Sequence, residues 1–265
     1  MRCAEREEGG LIDSATGATV SVITPAFNAA RFIRETIASV QAQTYPHWEM
    51  VIADDCSEDN TRQIVEQIGS QDSRVRLIRQ KRRQGPAIAR NAALGEAKGR
   101  YVAFLDSDDL WLPTKLERQL AFMQEQDIAF SYTQYRQISE TGEKCGSLIL
   151  CPPSFTYPEL LKNASIGCLT VILDRTKTDP LEFVDFPRED FILWLDLLKR
   201  GITAYGLLED LARYRIVGGS DSRNKWRCAK RIWVVYRKFE NLSLPYAFWC
   251  FANYAWHGYV KHKSL

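Results

Sequence analysis

The first 130 residues alternate short apolar runs with stretches in which apolar residues recur every three or four positions. Four apolar runs predict β-strands, at 20–24, 48–55, 74–80 and 101–109. Helical patterns separate or follow them, at about 30–40, 60–69 and 87–99 and after Pro113. Strands separated by helices of this length favour a parallel sheet with right-handed crossovers, so the expected fold class is α/β.

The second half of the chain has a less regular pattern. Residues 131–175 hold short strand-like pieces, a turn and one short helix, and 189–201 has the spacing of an amphipathic helix. The runs 204–209 and 212–217 predict a pair of strands. An aromatic and basic helical pattern covers 226–262. The sequence therefore predicts a sheet-containing second half that ends in a helical extension.

Three of the four strands predicted in the first half end in polar or acidic residues. Pro25–Asn28 follow the first strand, Asp54–Asp55 end the second, and Asp106–Asp109 end the fourth. In an open α/β sheet the ligand lies beyond the carboxyl ends of the strands. We therefore expect these three segments to meet at one cleft.

The acidic segment Asp106–Asp109 has two interpretations. Like charges crowded at a buried strand end raise one another's pKa unless a cation neutralises them. Carboxylates with open coordination positions suit Mg²⁺ or Mn²⁺, which then bridge substrate phosphates. The other interpretation is a solvated turn that caps the helix after Pro113.

Three further features also admit two interpretations. An acid such as Asp55 can accept hydrogen bonds from a ribose or a base, or it can cap the next helix. Arg90 lies one turn into a helix whose amino end favours an anion, and it faces either a ligand or the solvent. Asp190, with Glu189 before it, begins a helix, where a carboxylate is favourable in any protein. The functional interpretation makes Asp190 a general base for an acceptor hydroxyl.

Composition narrows the class of protein. A content of 45% apolar and 26% charged residues is that of a globular domain, and a net charge of +2 does not favour nucleic acid as a partner. The seven cysteines are scattered without CxxC spacing, which excludes an obvious zinc site and suits a reducing compartment. Residues 1–19 lack the apolar core of a signal peptide, and no run reaches 18 apolar residues. These features predict a cytoplasmic protein with a loosely ordered segment at 1–19.

The motifs, taken together, resemble the family-2 glycosyltransferases that have a GT-A fold. The matching segments are VSVITPAFN at 20–28, QTYPHWEMVIADDCSEDNT at 43–61, RQGPAIARNAALGEAKGRYVAFLDSDD at 83–109 and EDFILWLDLL at 189–198. They occur in the family's order and spacing. The resemblance implies a GT-A (Rossmann-like), mostly parallel sheet flanked by helices, with a C-terminal helical extension. It also implies a catalytic domain at 20–222, with a nucleotide-binding half at 20–109 and an acceptor-binding half at 110–222, and a tail at 223–265.

The resemblance assigns roles residue by residue. The donor-binding positions are Pro25, Phe27 and Asn28 around the nucleotide, Asp55 at the base, and Arg90 and Asp106. Asp106 and Asp108 match the DxD element, with Asp108 as the direct metal ligand. Asp190 matches the catalytic base, and Glu189 helps to place the acceptor. Further acceptor or loop candidates are Asp109, Arg215, Ser220 and Ser222, the last three in a flexible loop that closes over the diphosphate.

The sequence departs from the family pattern at two positions. Cys56 stands where glycine is common, so we expect a somewhat different turn there. The histidine that commonly follows the Tyr-Arg pair is absent, which puts a histidine metal ligand in doubt. The QxxRW signature of processive synthases is also absent, and 131–175 resembles enzymes of bacterial surface-polysaccharide assembly (O-antigen, capsule or exopolysaccharide).

The implied reaction is an inverting, metal-dependent transfer from a nucleotide-sugar, with UDP favoured by the likeness, to a saccharide or lipid-linked saccharide. Mn²⁺ or Mg²⁺ is the implied cofactor. One alternative is a catalytically silent nucleotide- or carbohydrate-binding module, which would have no need for Asp106, Asp108 and Asp190 together. A nucleotidyltransferase is the other, but it would need a glycine-rich, lysine-containing loop where this chain has PAFNAARF.

The tail at 226–262 mixes Trp, Tyr and Phe with Lys and Arg. This composition suits an interfacial helix on an anionic membrane, near a lipid-linked acceptor. It predicts a peripheral position on the inner face of the cytoplasmic membrane. The alternative is that these aromatic residues pack on the catalytic domain or on a second subunit.

Overall fold

The computed structural model describes residues 19–218 and 225–263, except for the side chains of 225 and 257–263. The predicted loosely ordered segment therefore lies outside the described residues, apart from Thr19. The strands are β1 (Val20–Ala26), β2 (Trp48–Asp54), β3 (Val75–Arg79), β4 (Tyr101–Phe104), β5 (Leu110–Trp111), β6 (Phe130–Ile138), β7 (Cys145–Ile149), β8 (Ser154–Phe155), β9 (Ile172–Asp174) and β10 (Ala204–Arg215).

The α-helices follow the predicted pattern closely. They are α1 (Ile33–Gln41), α2 (Thr61–Gln71), α3 (Pro86–Gly95), α4 (Lys115–Glu125), α5 (Tyr157–Asn163), α6 (Arg175–Thr178), α7 (Glu189–Lys199), α8 (Lys225–Val234) and α9 (Leu244–Lys263). A π-helical turn, Val235–Phe239, continues α8, so the tail is two helices and not one continuous helix. α3 ends at Gly95 rather than at the predicted Gly99, which lies against the backbone of Thr19 and Ser21.

The strands form one sheet in the order β3-β2-β1-β4-β9-β6-β10-β5. β3, β2, β1 and β4 run parallel to one another, and β6 runs parallel to β10. The short strand β9 is antiparallel to both β4 and β6 and joins the two parallel groups. The expected α/β class with a mostly parallel sheet flanked by helices is therefore confirmed.

Two strand predictions were wrong. The fourth strand ends at Phe104, so Asp106–Asp109 lie in the loop that leads to β5. Residues 204–217 form one long strand and not a pair, since β10 runs beside β6 from Ala204 to Arg215. The strand continues through Glu209 and Asp210, with shifts of register near Asp210, as in β-bulges.

Apolar side chains form one cluster on each side of the sheet. Alternate residues of a strand point to opposite faces, so Ile23 belongs to one cluster, and its neighbour Val22 to the other. The cluster that contains α3, α5 and α7 also contains fully buried residues of the tail, among them Tyr236 and Cys250. The inner side of the tail is thus part of the core.

Lys115, the first residue of α4, is fully buried, and the described residues give it no carboxylate partner. Its ammonium group donates a hydrogen bond to Gln119 Oε1 at 2.7 Å and lies 4.4 Å from the centroid of the Trp111 ring. Burial lowers the pKa of Lys115 to about 7, because the charged form loses its hydration.

We expect Lys115 to make the free energy of unfolding rise with pH between about 7 and the ordinary lysine value of 10.5. Within that window the unfolded chain keeps this proton and the folded chain has released it, so raising the pH favours the folded state. Lys115→Met should remove this contribution, as urea unfolding at pH 7 and pH 9 would measure. Lys144→Met, at an exposed lysine, is the control. An unchanged rise in Lys115→Met would contradict the assignment.

Candidate functional site

The segments that follow β1, β2 and β4 lie side by side at one edge of the sheet. Ala26 at the end of β1 is paired with Asp54 at the end of β2, and Ile23 of β1 is paired with Phe104 at the end of β4. The amide of Asp55 donates to the carbonyl of Ala26 at 2.8 Å. The convergence expected from the sequence is therefore present in the structure.

The adjacent acids Asp54 and Asp55 make different contacts. Asp54 accepts hydrogen bonds from the amide of Ser57 and from Arg62 Nε, which fixes the turn after β2. The carboxylate of Asp55 accepts from the amides of Gln84 and Gly85, at 2.7 and 2.8 Å. Asp55 is buried and thus ties the end of β2 to the loop that begins α3.

The turn after β2 keeps the backbone conformation that glycine favours. Cys56 has a φ of 63°, in the left-handed region, although its side chain makes this conformation costly. The Cys56 thiol donates to the carbonyl of Gln80 at 3.3 Å. The expected difference in this turn is therefore a side-chain contact rather than a new backbone path.

The loop after β1 starts later than predicted. Pro25 is a buried residue of β1 that is paired with Ala53, so it shapes the loop but does not line it. Phe27 is half-buried, and the guanidinium of Arg83 lies 3.8 Å from its ring centroid. Asn28 is exposed, and its side-chain oxygen accepts from the amide of Glu58 at 2.8 Å. Phe27 and Asn28 are thus the members of this loop that remain accessible.

The acids after β4 differ in accessibility and in ionisation. One-third of the Asp106 side chain is exposed, and Oδ1 accepts from Arg90 Nη2 at 2.6 Å. Burial, together with the charge of Asp106, raises the pKa of Asp108 to about 6. Asp109 is buried, and burial followed by the charges of Asp108 and Asp106 raises its pKa well above the usual range.

These acids fit a divalent cation. A cation beside Asp106 and Asp108 would offset the repulsion that raises the pKa of Asp108. Among the described residues no group of three or more His, Cys, Asp and Glu side chains is arranged to hold a metal. Mg²⁺ and Mn²⁺ sites of the substrate-bridging kind need only one or two carboxylates, with waters and phosphate oxygens as the other ligands. Asp106 and Asp108 are the residues that would hold such an ion.

Arg215 was expected in a flexible loop, and this expectation was wrong. It is the last residue of β10, and its guanidinium is almost fully buried. Nε donates to the carbonyl of Asp108, Nη1 to the carbonyl of Glu140 and Nη2 to Glu35, at 2.7 to 2.8 Å. Its amide donates to Asp109 Oδ1. Arg215 and Asp109 are both buried, and their contacts therefore hold the acidic loop from its buried side. Ser220 and Ser222, the other two residues predicted for that flexible loop, lie outside the described residues.

Arg90 joins the two halves of the cleft. Only 6% of its side chain is exposed, so it does not face the solvent, one of the two interpretations of the sequence. Nη2 donates to Asp106 and Nη1 to Glu189 Oε1, at 2.6 and 2.5 Å. Arg90 thus connects the acidic loop after β4 to the first residue of α7.

Glu189 and Asp190 open α7 at the same cleft. Burial raises the pKa of Glu189, Arg90 opposes that rise, and the charge of Asp190 adds to it. Asp190 is half-buried, and its Oδ1 accepts from the amide of Phe191 at 2.8 Å. Asp190 thus lies beside Glu189 in the first turn of α7.

Cys168, which the sequence did not single out, is buried near these charged groups. Burial raises the pKa of its thiol well above the usual range; Arg90 opposes this, and the charges of Asp106, Asp190 and Glu189 reinforce it. Charged side chains of α3, of the loop after β4 and of α7 therefore all affect the pKa of this one thiol. The acids predicted as metal ligand and as general base belong to one electrostatic site.

Comparisons with known proteins agree with this geometry. The model of the family described as "Glycosyl transferase family 2" matches residues 21–171. The chain is 50% identical to a putative teichuronic acid biosynthesis glycosyltransferase, TuaG, of Bacillus subtilis, over 89% of this chain and 94% of that protein. It is 41% identical to the Escherichia coli UDP-Glc:alpha-D-GlcNAc-diphosphoundecaprenol beta-1,3-glucosyltransferase WfgD, over 92% of this chain and 94% of that protein.

Solved structures share the fold. S. aureus TarS 1–349, in complex with UDP-GlcNAc, superposes with a TM-score of 0.68 at 21% identity, over 89% of this chain and 71% of that one. The mannosyltransferase PcManGT from Pyrobaculum calidifontis, in complex with GDP-Man and Mn²⁺, gives 0.66 at 18% identity, over 90% and 73%. At such identities these likenesses concern the fold alone.

Proposed function

The chain belongs to glycosyl transferase family 2, and from that premise we propose that it moves a sugar from a UDP-sugar to a lipid-linked saccharide with inversion of the anomeric carbon. It is a GT-A glycosyltransferase of the kind that serves bacterial surface-polysaccharide synthesis. Membership of this family decides against the nucleotidyltransferase alternative. Our proposal goes beyond family membership in four assignments, which are the donor, the acceptor, the metal and the roles of the site residues.

Two observations support a UDP-sugar donor. WfgD is named for UDP-Glc as its donor, and TarS has been crystallised with UDP-GlcNAc. In the present chain the half-buried ring of Phe27 and the carboxylate of Asp55 lie at the ends of adjacent strands. An aromatic face for stacking and a carboxylate for a base N–H are the groups that a uracil ring would require.

WfgD also supports the proposed acceptor. Its name specifies GlcNAc linked through a diphosphate to undecaprenol. Its likeness to this chain spans 92% of the residues, including the acceptor-binding half. We therefore propose a saccharide carried on a polyprenyl diphosphate as the acceptor class.

Asp106 and Asp108 are the proposed ligands of Mn²⁺ or Mg²⁺. The ion would supply positive charge for the departing nucleoside diphosphate. PcManGT, which has the same fold, has been crystallised with Mn²⁺. The raised pKa of Asp108 supports the proposal, because it indicates a carboxylate whose ionic form lacks a neutralising partner.

Asp190 is the proposed general base. It takes the proton of the acceptor hydroxyl as that oxygen attacks the anomeric carbon from the face opposite the diphosphate. The new C–O bond forms, the bond to the diphosphate oxygen breaks, and the electron pair leaves with the nucleoside diphosphate, so the configuration inverts. Glu189, ion-paired with Arg90, positions the acceptor beside Asp190. Holding both substrates in line contributes the orientation part of the rate enhancement.

One observation carries this proposal: the guanidinium of Arg90 donates hydrogen bonds to both Asp106 and Glu189. Because Asp190 follows Glu189 in the chain, these two bonds support a single cleft for the donor-side acids and the proposed base. A single displacement needs this arrangement, because the base and the leaving group lie on opposite sides of one carbon atom.

A donor screen tests the proposal directly. The full chain would be incubated with UDP-Glc, UDP-GlcNAc, UDP-Gal or GDP-Man and with GlcNAc-diphosphoundecaprenol, with Mn²⁺ present or chelated. We expect acceptor-dependent release of UDP, its loss on chelation and its recovery with Mn²⁺, and a product of inverted configuration by NMR. Transfer only from GDP-Man would overturn the donor assignment, transfer without metal the cofactor, and a retained anomer the mechanism.

A further inference from the structure

Helix α9 is apolar on two opposite faces. Between residues 244 and 260 the sequence contains no Asp, Glu, Lys or Arg. Ala247 and Cys250 are fully buried, whereas Phe248, Trp249 and Trp256 are 60% to 64% exposed. Trp249 and Trp256 are two turns apart and so lie on the same side of the helix. An amphipathic surface helix would turn polar residues to the solvent, whereas α9 turns Phe248, Trp249 and Trp256 to it.

The inner face of the tail is fixed to the catalytic domain. The hydroxyl of Tyr236 donates to the carbonyl of Leu161 in α5, and the ring of Phe239 lies 5.1 Å from that of Phe186. Glu240 accepts from Tyr157 at 2.5 Å and from Lys199 of α7 at 3.1 Å. Packing on the catalytic domain, one of the two interpretations of the sequence, is thus correct for the inner face. It leaves the outer face unexplained.

The exposed apolar residues of α8 and α9 belong to one surface. Trp226 is 88% exposed and lies two turns before Trp233, whose ring contacts Phe248 at 4.9 Å. The two helices therefore present neighbouring faces. We define the outer tail surface by its five most exposed large apolar residues, which are Trp226, Leu244, Phe248, Trp249 and Trp256.

Charge indicates what this surface meets. Residues 223–265 contain nine Lys and Arg and a single acid, Glu240, which is engaged on the inner side. Residues 1–222 contain 26 Lys and Arg against 32 Asp and Glu. The tail is thus strongly positive on a body that is negative. A symmetric contact between two tails would oppose like charges, whereas an anionic surface would attract the tail and repel the body.

We propose that the outer tail surface docks the enzyme on an anionic lipid bilayer, with α9 lying in the plane of the interface. Trp and Tyr side chains favour the boundary between headgroups and acyl chains, and basic residues bind anionic headgroups. Among the helices in the described part of the chain, none has the length and apolar character needed to cross a bilayer. Docking would set Asp190 at a constant height above the lipid, because Lys199 of the same helix holds the tail.

Vesicle binding tests the docking without either substrate. The purified full chain would be sedimented with vesicles of phosphatidylcholine alone or mixed with phosphatidylglycerol. We expect binding to the anionic vesicles that weakens with salt. Trp249→Ser/Trp256→Ser should reduce the partition coefficient by about tenfold or more, since each buried aromatic ring contributes to insertion. Leu150→Ser/Tyr205→Ser, at exposed apolar residues elsewhere, should bind as the parent does.

Charge reversal tests the second half of the proposal. Lys230→Glu/Lys238→Glu, at two exposed tail lysines, should weaken anionic binding by about tenfold or more, and Lys144→Glu, outside the tail, should not. Failure of the folded parent to bind anionic vesicles, or equal binding by the Trp variant, would overturn the proposal. So would a dimer that the Trp variant abolishes, since the surface would then belong to a second copy.

The physiological part of this inference rests on the proposed function, since the lipid-linked acceptor would be met at the bilayer. The two remain separable. Vesicle binding without any sugar transfer would contradict only the proposed function. Sugar transfer to a water-soluble acceptor analogue, with no vesicle binding, would contradict only the proposal that the outer tail surface docks on a bilayer.

Discussion

Replacing Asp190 by Asn is expected to lower kcat by about 10²- to 10⁴-fold, the usual contribution of a general base, while UDP binding stays within about twofold. The substitution keeps the shape of the side chain and its contact with the amide of Phe191, but it removes the proton acceptor. Arg90 continues to hold Asp106 and Glu189, so the donor side of the cleft is unaffected. Single-turnover transfer measures the rate, and calorimetry with UDP and Mn²⁺ measures binding.

Asp196→Asn is the matched control for this prediction. Asp196 lies on the same helix but is exposed, and it faces Arg200 at 3.7 Å rather than the cleft. We expect nearly unchanged kcat and UDP affinity in this variant. If Asp190→Asn lost UDP binding in proportion to its rate, or lost thermal stability that Asp196→Asn retained, Asp190 would have to be regarded as a structural residue.

The fold of the first half could be predicted because its signals are local. Apolar runs such as 20–24 and 48–55 mark strands that are buried on both faces, and the helices between them show three-to-four spacing. Parallel order then follows from the connection lengths, and with it the edge at which Asp54, Asp55 and Asp106 meet. Local pattern and a general rule of topology were enough to place the cleft.

The second half departed from prediction where the deciding contacts are distant in sequence. β10 runs through the polar pair Glu209–Asp210 because β6 pairs with it on both sides of the register shifts near Asp210. The local sequence around Arg215 predicts a loop, whereas in the folded chain its guanidinium donates to the carbonyls of Asp108 and Glu140. Neither partner is within 70 residues of Arg215, so no local pattern could reveal the contact.

The roles of Arg90 and Cys168 were missed for the same reason. An arginine in the first turns of a helix is ordinarily exposed, and the pairing with Asp106 and with Glu189, 99 residues away, explains its burial. A buried arginine requires acidic partners, but the sequence does not show which ones. Cys168 resembles any small apolar residue until the three-dimensional arrangement places charges around it.

The Asp108 carboxylate leads to the second large effect, on metal binding and on its pH dependence. Since the pKa of Asp108 is raised from 3.8 to about 6, its ionisation opposes folding in the absence of a cation, and this penalty is complete above pH 6. A divalent ion at the site would remove that penalty at pH 7. At pH 5 the ion would have to displace a proton from the carboxyl group, so its affinity should be about tenfold lower.

We therefore expect Mn²⁺ to raise the Tm clearly at pH 7 and only slightly at pH 5. Asp108→Asn should abolish the rise at both pH values and increase the metal-free Tm at pH 7, because it removes an uncompensated buried charge. It should also lower metal-dependent kcat by about 10²- to 10³-fold, which corresponds to several kcal/mol of lost charge stabilisation. Asp185→Asn, at an exposed acid outside the cleft, should behave as the parent.

A metal-dependent rise in Tm that persists in Asp108→Asn would remove Asp108 from the metal site. In that case the raised pKa of Asp108 would reflect only its burial and the charge of Asp106, and the negative charge of the departing diphosphate would have to be stabilised by other groups of the cleft.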